Sequence, residues 1–199
     1  IRIMDVNPIN YQLTFEPDLK KFTFNGIESI AADCKKYTNL ITMHCAELKI
    51  VSCKVKSKGK IIKSSPKTND EKEELSIKLS EKVKGKITID LEFQGILNDR
   101  LLGFYRSQYV QNGKTKYLAT TQFEAADARR AFPCWDEPEA KATFEISIIA
   151  DNKFTAISNM PIKSKKKIGS KTLYNFSKTP IVSTYLIYLG VGEFEYLTG

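Results

Sequence analysis

The residues able to do chemistry in this 199-residue chain crowd into one segment. Between Phe123 and Glu139 stand Glu124, Asp127, Arg129, Arg130, Cys134, the only tryptophan (Trp135), Asp136, Glu137 and Glu139. Neighbouring carboxylates could exchange protons with a substrate. Arg and Asp within ten residues of each other can instead lock an irregular loop through bidentate hydrogen bonds, and that structural role is expected of Asp127, Arg129, Arg130, Asp136 and Glu137. Phe132, Pro133 and Trp135 read as the apolar anchor of the same loop. Cys134 has no histidine beside it in sequence, since His44 is the only one and precedes it by ninety residues, so a nucleophilic role is not expected. His44 itself follows Thr42 and Met43 and reads as a strand residue rather than a ligand.

A single histidine also argues against a self-contained catalytic zinc site, which needs about three protein ligands, usually with histidine among them. Cys34, Cys45, Cys53 and Cys134 show no C-x-x-C spacing and are too sparse for a disulfide framework; they read as reduced core thiols of a cytoplasmic protein. The formal charge of +8 comes from 26 Lys against 5 Arg spread along the whole chain, unlike the clustered basic and aromatic residues of nucleic-acid binders. Residues 122–145 run against it, with six acids and three bases. The densest basic run, Lys163, Lys165, Lys166 and Lys167 before Ile168-Gly169-Ser170, reads as a solvated hairpin turn. The longest charge-free stretch, Thr179 to Gly192, has 14 residues, short of the roughly 20 that a membrane-spanning helix needs.

The elements that must hold this segment are strands. Ile9, Tyr11, Leu13 and Phe15 alternate along an extended run, as do Leu75, Ile77 and Leu79; Ile87, Ile89, Leu91 and Phe93; and Phe144, Ile146 and Ile148. Asn112-Gly113 between two such runs predicts a hairpin, because a type I′ turn needs positive φ at both positions. Further turns are expected at Asn25-Gly26, Lys58-Gly59, Pro66 to Asp70, Gly85 and Asp151-Asn152, with residues 63–74 as the most polar loop. Together these mark an all-β fold, a saddle-shaped multi-sheet sandwich of about a dozen short, mostly antiparallel strands with one irregular charged loop. No period of two crosses residues 123–139, and irregular segments on a regular scaffold are where sites concentrate.

Residues 120–144, Thr-Thr-Gln-Phe-Glu-Ala-Ala-Asp-Ala-Arg-Arg-Ala-Phe-Pro-Cys-Trp-Asp-Glu-Pro-Glu-Ala-Lys-Ala-Thr-Phe, resemble the signature of the amino-terminal domain of the zinc aminopeptidase family of aminopeptidase N, puromycin-sensitive aminopeptidase and the tricorn-interacting factors. Leu102-Gly103-Phe104-Tyr105 is similar to a strand of that domain, Ala156 to Pro161 to its following turn, and Ser183 to Leu186 with Val191 to Phe194 to its closing strand. Residues 9–30 resemble its opening, so the likeness covers nearly the whole chain.

The resemblance implies a single amino-terminal β domain over residues 1–199 of a longer enzyme that removes amino-terminal residues from peptides. It implies that Glu124 accepts a hydrogen bond from the substrate's α-ammonium group, that Gln122 lines the pocket for the first side chain, and that the Glu124–Ala125 peptide is cis. The family's G-x-M-E-N and H-E-x-x-H motifs are absent, so the catalytic zinc is expected on a domain outside this chain, and these residues alone should hold no metal and cleave nothing. The expected partners are peptide substrates and that catalytic domain, with neither nucleic acid nor membrane. The other reading is a non-enzymatic β-sandwich adaptor that binds a protein through its sheet edges or the 123–139 loop.

Overall fold

A computed structural model describes residues 5–194. The alternating runs form strands β1 (Val6–Asp18), β2 (Thr23–His44), β3 (Lys49–Ser57), β4 (Lys60–Ile62), β5 (Ser64–Asn69), β6 (Glu74–Ile96), β7 (Gly103–Gln111), β8 (Lys114–Gln122), β9 (Thr143–Asp151), β10 (Thr155–Ser158), β11 (Ile162–Ile168), β12 (Lys171–Phe176) and β13 (Leu189–Gly192). Nine of them build one sheet in the order β11-β12-β9-β1-β2-β6-β3-β4, with β5 also on β6; the other four build a second sheet, β10-β13-β8-β7. Of all these pairings only β1 with β9 is parallel.

Burial follows the period of two. Along β1, Tyr11, Leu13 and Phe15 are buried, while Gln12 is exposed and Thr14 and Glu16 are partly so. Rings from both sheets meet between them: Phe15 of β1 lies 5.9 Å from Phe104 of β7 and 6.3 Å from Phe93 of β6. Edge-to-face contacts of this kind add about 0.5–1.5 kcal/mol each beyond the area they bury.

Several turn expectations give way to longer strands. Asn25-Gly26 sits inside β2, because Gly26 is where the Phe93 ring of β6 lies across the sheet; a Cβ at Gly26 would come within 2.1 Å of that ring. Gly95 serves the Phe24 ring in the same way. Gly85, with φ of +82°, bends β6 without ending it, so residues 75–79 and 87–93 belong to one strand of 23 residues. Half of the polar stretch 63–74 is β5, paired with β6 from Ser64↔Leu79 to Asn69↔Glu74, and residues 70–73 make the turn. The lysines of 163–167 lie on β11, an exposed strand at the edge of the large sheet, and only Gly169-Ser170 make the turn. A lysine-rich edge discourages pairing with another chain. Ser183 to Leu186 is not strand; Thr184–Leu186 is a 3₁₀ turn that leads into β13. The Asn112-Gly113 hairpin joins β7 and β8 as expected, with φ of 52° and 72°.

Candidate functional site

Strand β8 ends by delivering the irregular segment to the surface. Its alternation continues past the last strand residue: Thr121 and Phe123 are buried, whereas Gln122 and Glu124 are exposed. The Glu124–Ala125 peptide is cis, as the sequence resemblance implies. The Asp127 amide then donates to the Phe123 carbonyl at 3.0 Å, closing a turn around Glu124, Ala125 and Ala126. A short 3₁₀ helix, Ala128–Arg130, follows.

Four of the remaining charges, Asp127, Arg129, Arg130 and Asp136, are consumed in holding it, while Glu139 is exposed. Asp136 is 4% exposed; its Oδ2 accepts from the Arg129 amide at 3.2 Å and from Arg129 Nε at 3.1 Å, and its Oδ1 accepts from the Thr184 hydroxyl at 2.7 Å. Arg130 Nε donates to Asp127 Oδ1 at 2.9 Å. Both arginines also leave the segment: Arg129 Nη1 reaches Glu73 Oε2 at 3.1 Å, Arg130 Nη2 reaches Glu73 Oε1 at 2.6 Å, and Arg130 Nη1 reaches Glu47 Oε1 at 2.8 Å. Glu47 is further paired with Arg100. Gly103, with φ of +67°, lies against Arg130, so that a Cβ there would meet the Arg130 Cβ at 2.9 Å.

Beneath the charges, the segment is pinned as a piece of sheet and core. His44 at the end of β2 and Cys134 exchange backbone hydrogen bonds of 2.8 and 3.0 Å, and the Asp136 amide donates to His44 Nδ1 at 3.0 Å. The expectation that Cys134 has no histidine near it is therefore corrected, because strand pairing brings residues 44 and 134 side by side. The thiol is nonetheless inert: it is fully buried, and burial pushes its pKa well up. Burial likewise raises Cys34 to about 11 and Cys45 to about 12. Phe132 and Cys134 are 0% exposed, Pro133 is buried and Trp135 is 6% exposed. The Phe132 ring neighbours Tyr11, Phe15, Phe123 and Phe144. Glu137 is half-buried at the far end.

Among the described residues, no hydrogen bond or ion pair ties down the Glu124 carboxylate. An exposed carboxylate beside an exposed amide, on a turn whose base is fixed, can receive a cationic group through charge-assisted hydrogen bonds. Zinc does not fit these residues: no group of three or more His, Cys, Asp or Glu among the described residues is arranged for a metal, and His44 Nδ1 already accepts from Asp136.

Sequence reasoning missed three acids. Glu47 and Glu73, which grip the arginines, lie in distant turns and carry no local signal. Glu28 could have been found, since alternation from Phe24 through Gly26 places it on the core face of β2. It is 1% exposed, near Tyr11, Cys45 and Cys134, with neither carboxyl oxygen partnered, and burial raises its pKa well above the usual carboxyl range.

Comparison with known proteins is decisive for the family. A family model described as the peptidase M1 N-terminal domain matches residues 7–186. This chain belongs to that family. As an M1 N-terminal domain it is 41% identical over 197 residues to aminopeptidase M1 of Arabidopsis thaliana, covering 96% of this chain and 22% of that protein. It is 39% identical over 197 residues to puromycin-sensitive aminopeptidase of Caenorhabditis elegans, covering 96% of this chain and 21% of that protein. It is 38% identical over 200 residues to mitochondrial aminopeptidase 2 of Saccharomyces cerevisiae, with 97% and 21% covered. The M1 domain thus spans about a fifth of the length of the curated relatives it matches. No helix among its described residues is long and apolar enough to cross a membrane.

Proposed function

We propose that this M1 N-terminal domain is the substrate-recognition part of a zinc-dependent aminopeptidase that removes amino-terminal residues from peptides, with the zinc held by residues outside this chain. Glu124 accepts a hydrogen bond from the α-ammonium group of the substrate, and Gln122 lines the pocket for the first side chain. One observation carries the reading: Asp127 and Asp136 are spent on arginines, while Glu124 stands exposed and unpaired on the turn they secure. A carboxylate held at fixed distance from the scissile carbonyl lets binding of the ammonium set which peptide bond is presented. The relatives named as aminopeptidases support the substrate class. Four free thiols, three of them buried, support a reducing compartment such as the cytoplasm.

The test is Glu124→Ala in the complete enzyme. KM for peptides with a free amine rises, on the order of a hundredfold, because a charge-assisted hydrogen bond to a charged group contributes about 1.5–3 kcal/mol. The melting temperature stays put, since the side chain makes no hydrogen bond or ion pair among the described residues. Unchanged kinetics would remove Glu124 from the site.

A further inference from the structure

We infer that Glu73, in the turn before β6, is a positioning residue for Glu124, acting through both arginines of the loop. The inference rests on the ammonium-binding reading of Glu124 given above.

The connection can be followed atom by atom. Glu73 offers one oxygen to each arginine, Oε2 to Arg129 Nη1 and Oε1 to Arg130 Nη2. Arg130 then holds Asp127 through Nε, and the Asp127 amide closes the turn that carries Glu124. The clamp is itself held. Glu73 has a left-handed backbone with φ of 51°, and its carbonyl accepts from the Cys45 amide at 2.8 Å, so the carboxylate projects from a fixed point of the large sheet rather than from a swinging loop. A non-glycine residue in that conformation has to be maintained by its surroundings.

Stability alone does not call for this arrangement. The Glu73 side chain is 33% exposed, and an ion pair with one partner that open to water contributes less to folding than a fully buried one. Its geometric effect is larger. One carboxylate fixing two successive arginines removes the rotational freedom of both, and with them that of Asp127. Without Glu73, Arg130 keeps Glu47 and Asp127 but can pivot between them, and Arg129 keeps only Asp136. The turn bearing Glu124 then keeps its backbone anchors, the Ala46 amide on the Arg129 carbonyl and the His44–Cys134 pair, but loses the side-chain clamp that sets its fine position against the sheet. Displacement by about 1 Å is enough to cost up to a hundredfold in a site that works by orientation.

The experiment compares Glu73→Gln, Glu73→Asp, Glu124→Ala and the double variant Glu73→Gln/Glu124→Ala in the complete enzyme. Glu73→Gln is expected to raise KM for free-amine peptides about tenfold with little change in kcat or melting temperature. Glu73→Asp, one methylene too short to span both arginines, should fall between Gln and wild type. Because Glu73 acts through Glu124, the double variant should have the KM of Glu124→Ala alone, the non-additivity expected of coupled residues. Multiplying effects in the double variant, a KM unchanged by Glu73→Gln while Glu124→Ala raises it, or kcat and melting temperature falling together would each overturn the role of Glu73. An unchanged KM in Glu124→Ala would instead overturn the ammonium-binding reading itself.

Discussion

The backbone amide of Asp136 donates to Nδ1 of His44 across 92 residues of sequence, at 3.0 Å. This single contact fixes the acceptor nitrogen of the only histidine and seats the charged end of the loop on the last residue of β2. His44→Phe keeps ring volume but leaves that amide without its acceptor. Loss of such a partner costs about 1–3 kcal/mol, so the variant should melt lower by several degrees in a thermal scan. An unchanged melting temperature would mean that the amide finds another acceptor.

Gly103 is the tightest glycine at the loop. It combines φ of +67° with a would-be Cβ only 2.9 Å from Arg130. Gly103→Ala therefore meets a left-handed backbone penalty of about 1–2 kcal/mol and a clash that pushes Arg130 out of its place among Asp127, Glu47 and Glu73. The expected outcome is a loss of stability together with a raised KM for free-amine peptides in the complete enzyme. The comparison residue is Gly113, at φ of +72° with open space around it, where Ala should cost the backbone term and leave KM alone.

What the sequence could disclose follows from the range of each interaction. Alternation in β1, β9 and β6 is local, so the strands and their inner faces are legible from residues such as Tyr11, Phe144 and Ile89. The Asn112-Gly113 turn is legible for the same reason, because its φ requirement is met by two adjacent residues. Gly26 misleads because its purpose lies across the sheet, under Phe93, and sequence gives no distance between positions 26 and 93. In the loop, the Asp127 and Arg130 pairing lies within one turn of chain and could be anticipated. The same arginine's bonds to Glu47 and Glu73 span 83 and 57 residues, and nothing in either acid's neighbourhood announces them.

The thiols give a third prediction. Burial lifts Cys34, Cys45 and Cys134 above the ordinary thiol range, and Cys53, which is partly exposed, is raised by burial as well. Only the thiolate attacks an alkylating reagent. At neutral pH the folded protein should therefore label slowly at Cys53 and not at the other three, while the unfolded chain labels at all four. Rapid native labelling of Cys134, read by mass spectrometry, would contradict the closed packing around Phe132 and Trp135.

Glu28 supplies the last prediction, with its sign set by burial. Desolvation raises the carboxyl's pKa in the folded protein, and neither oxygen has a hydrogen-bond partner to offset this. In the unfolded chain the same group loses its proton near about pH 4.3. Below that value both states are protonated and Glu28 makes no difference with pH. Above it the unfolded chain releases a proton that the folded protein retains, so folding weakens as pH rises, by about 1.4 kcal/mol for each pH unit until the folded carboxyl ionises too. Glu28→Gln keeps the shape and abolishes the titration. The two proteins should have their closest agreement in melting temperature near about pH 4 and diverge as the pH rises above it, with the Gln variant the more stable. Parallel melting curves across that range would place a hydrogen-bond donor or a cation beside Glu28 that lets it ionise in the fold.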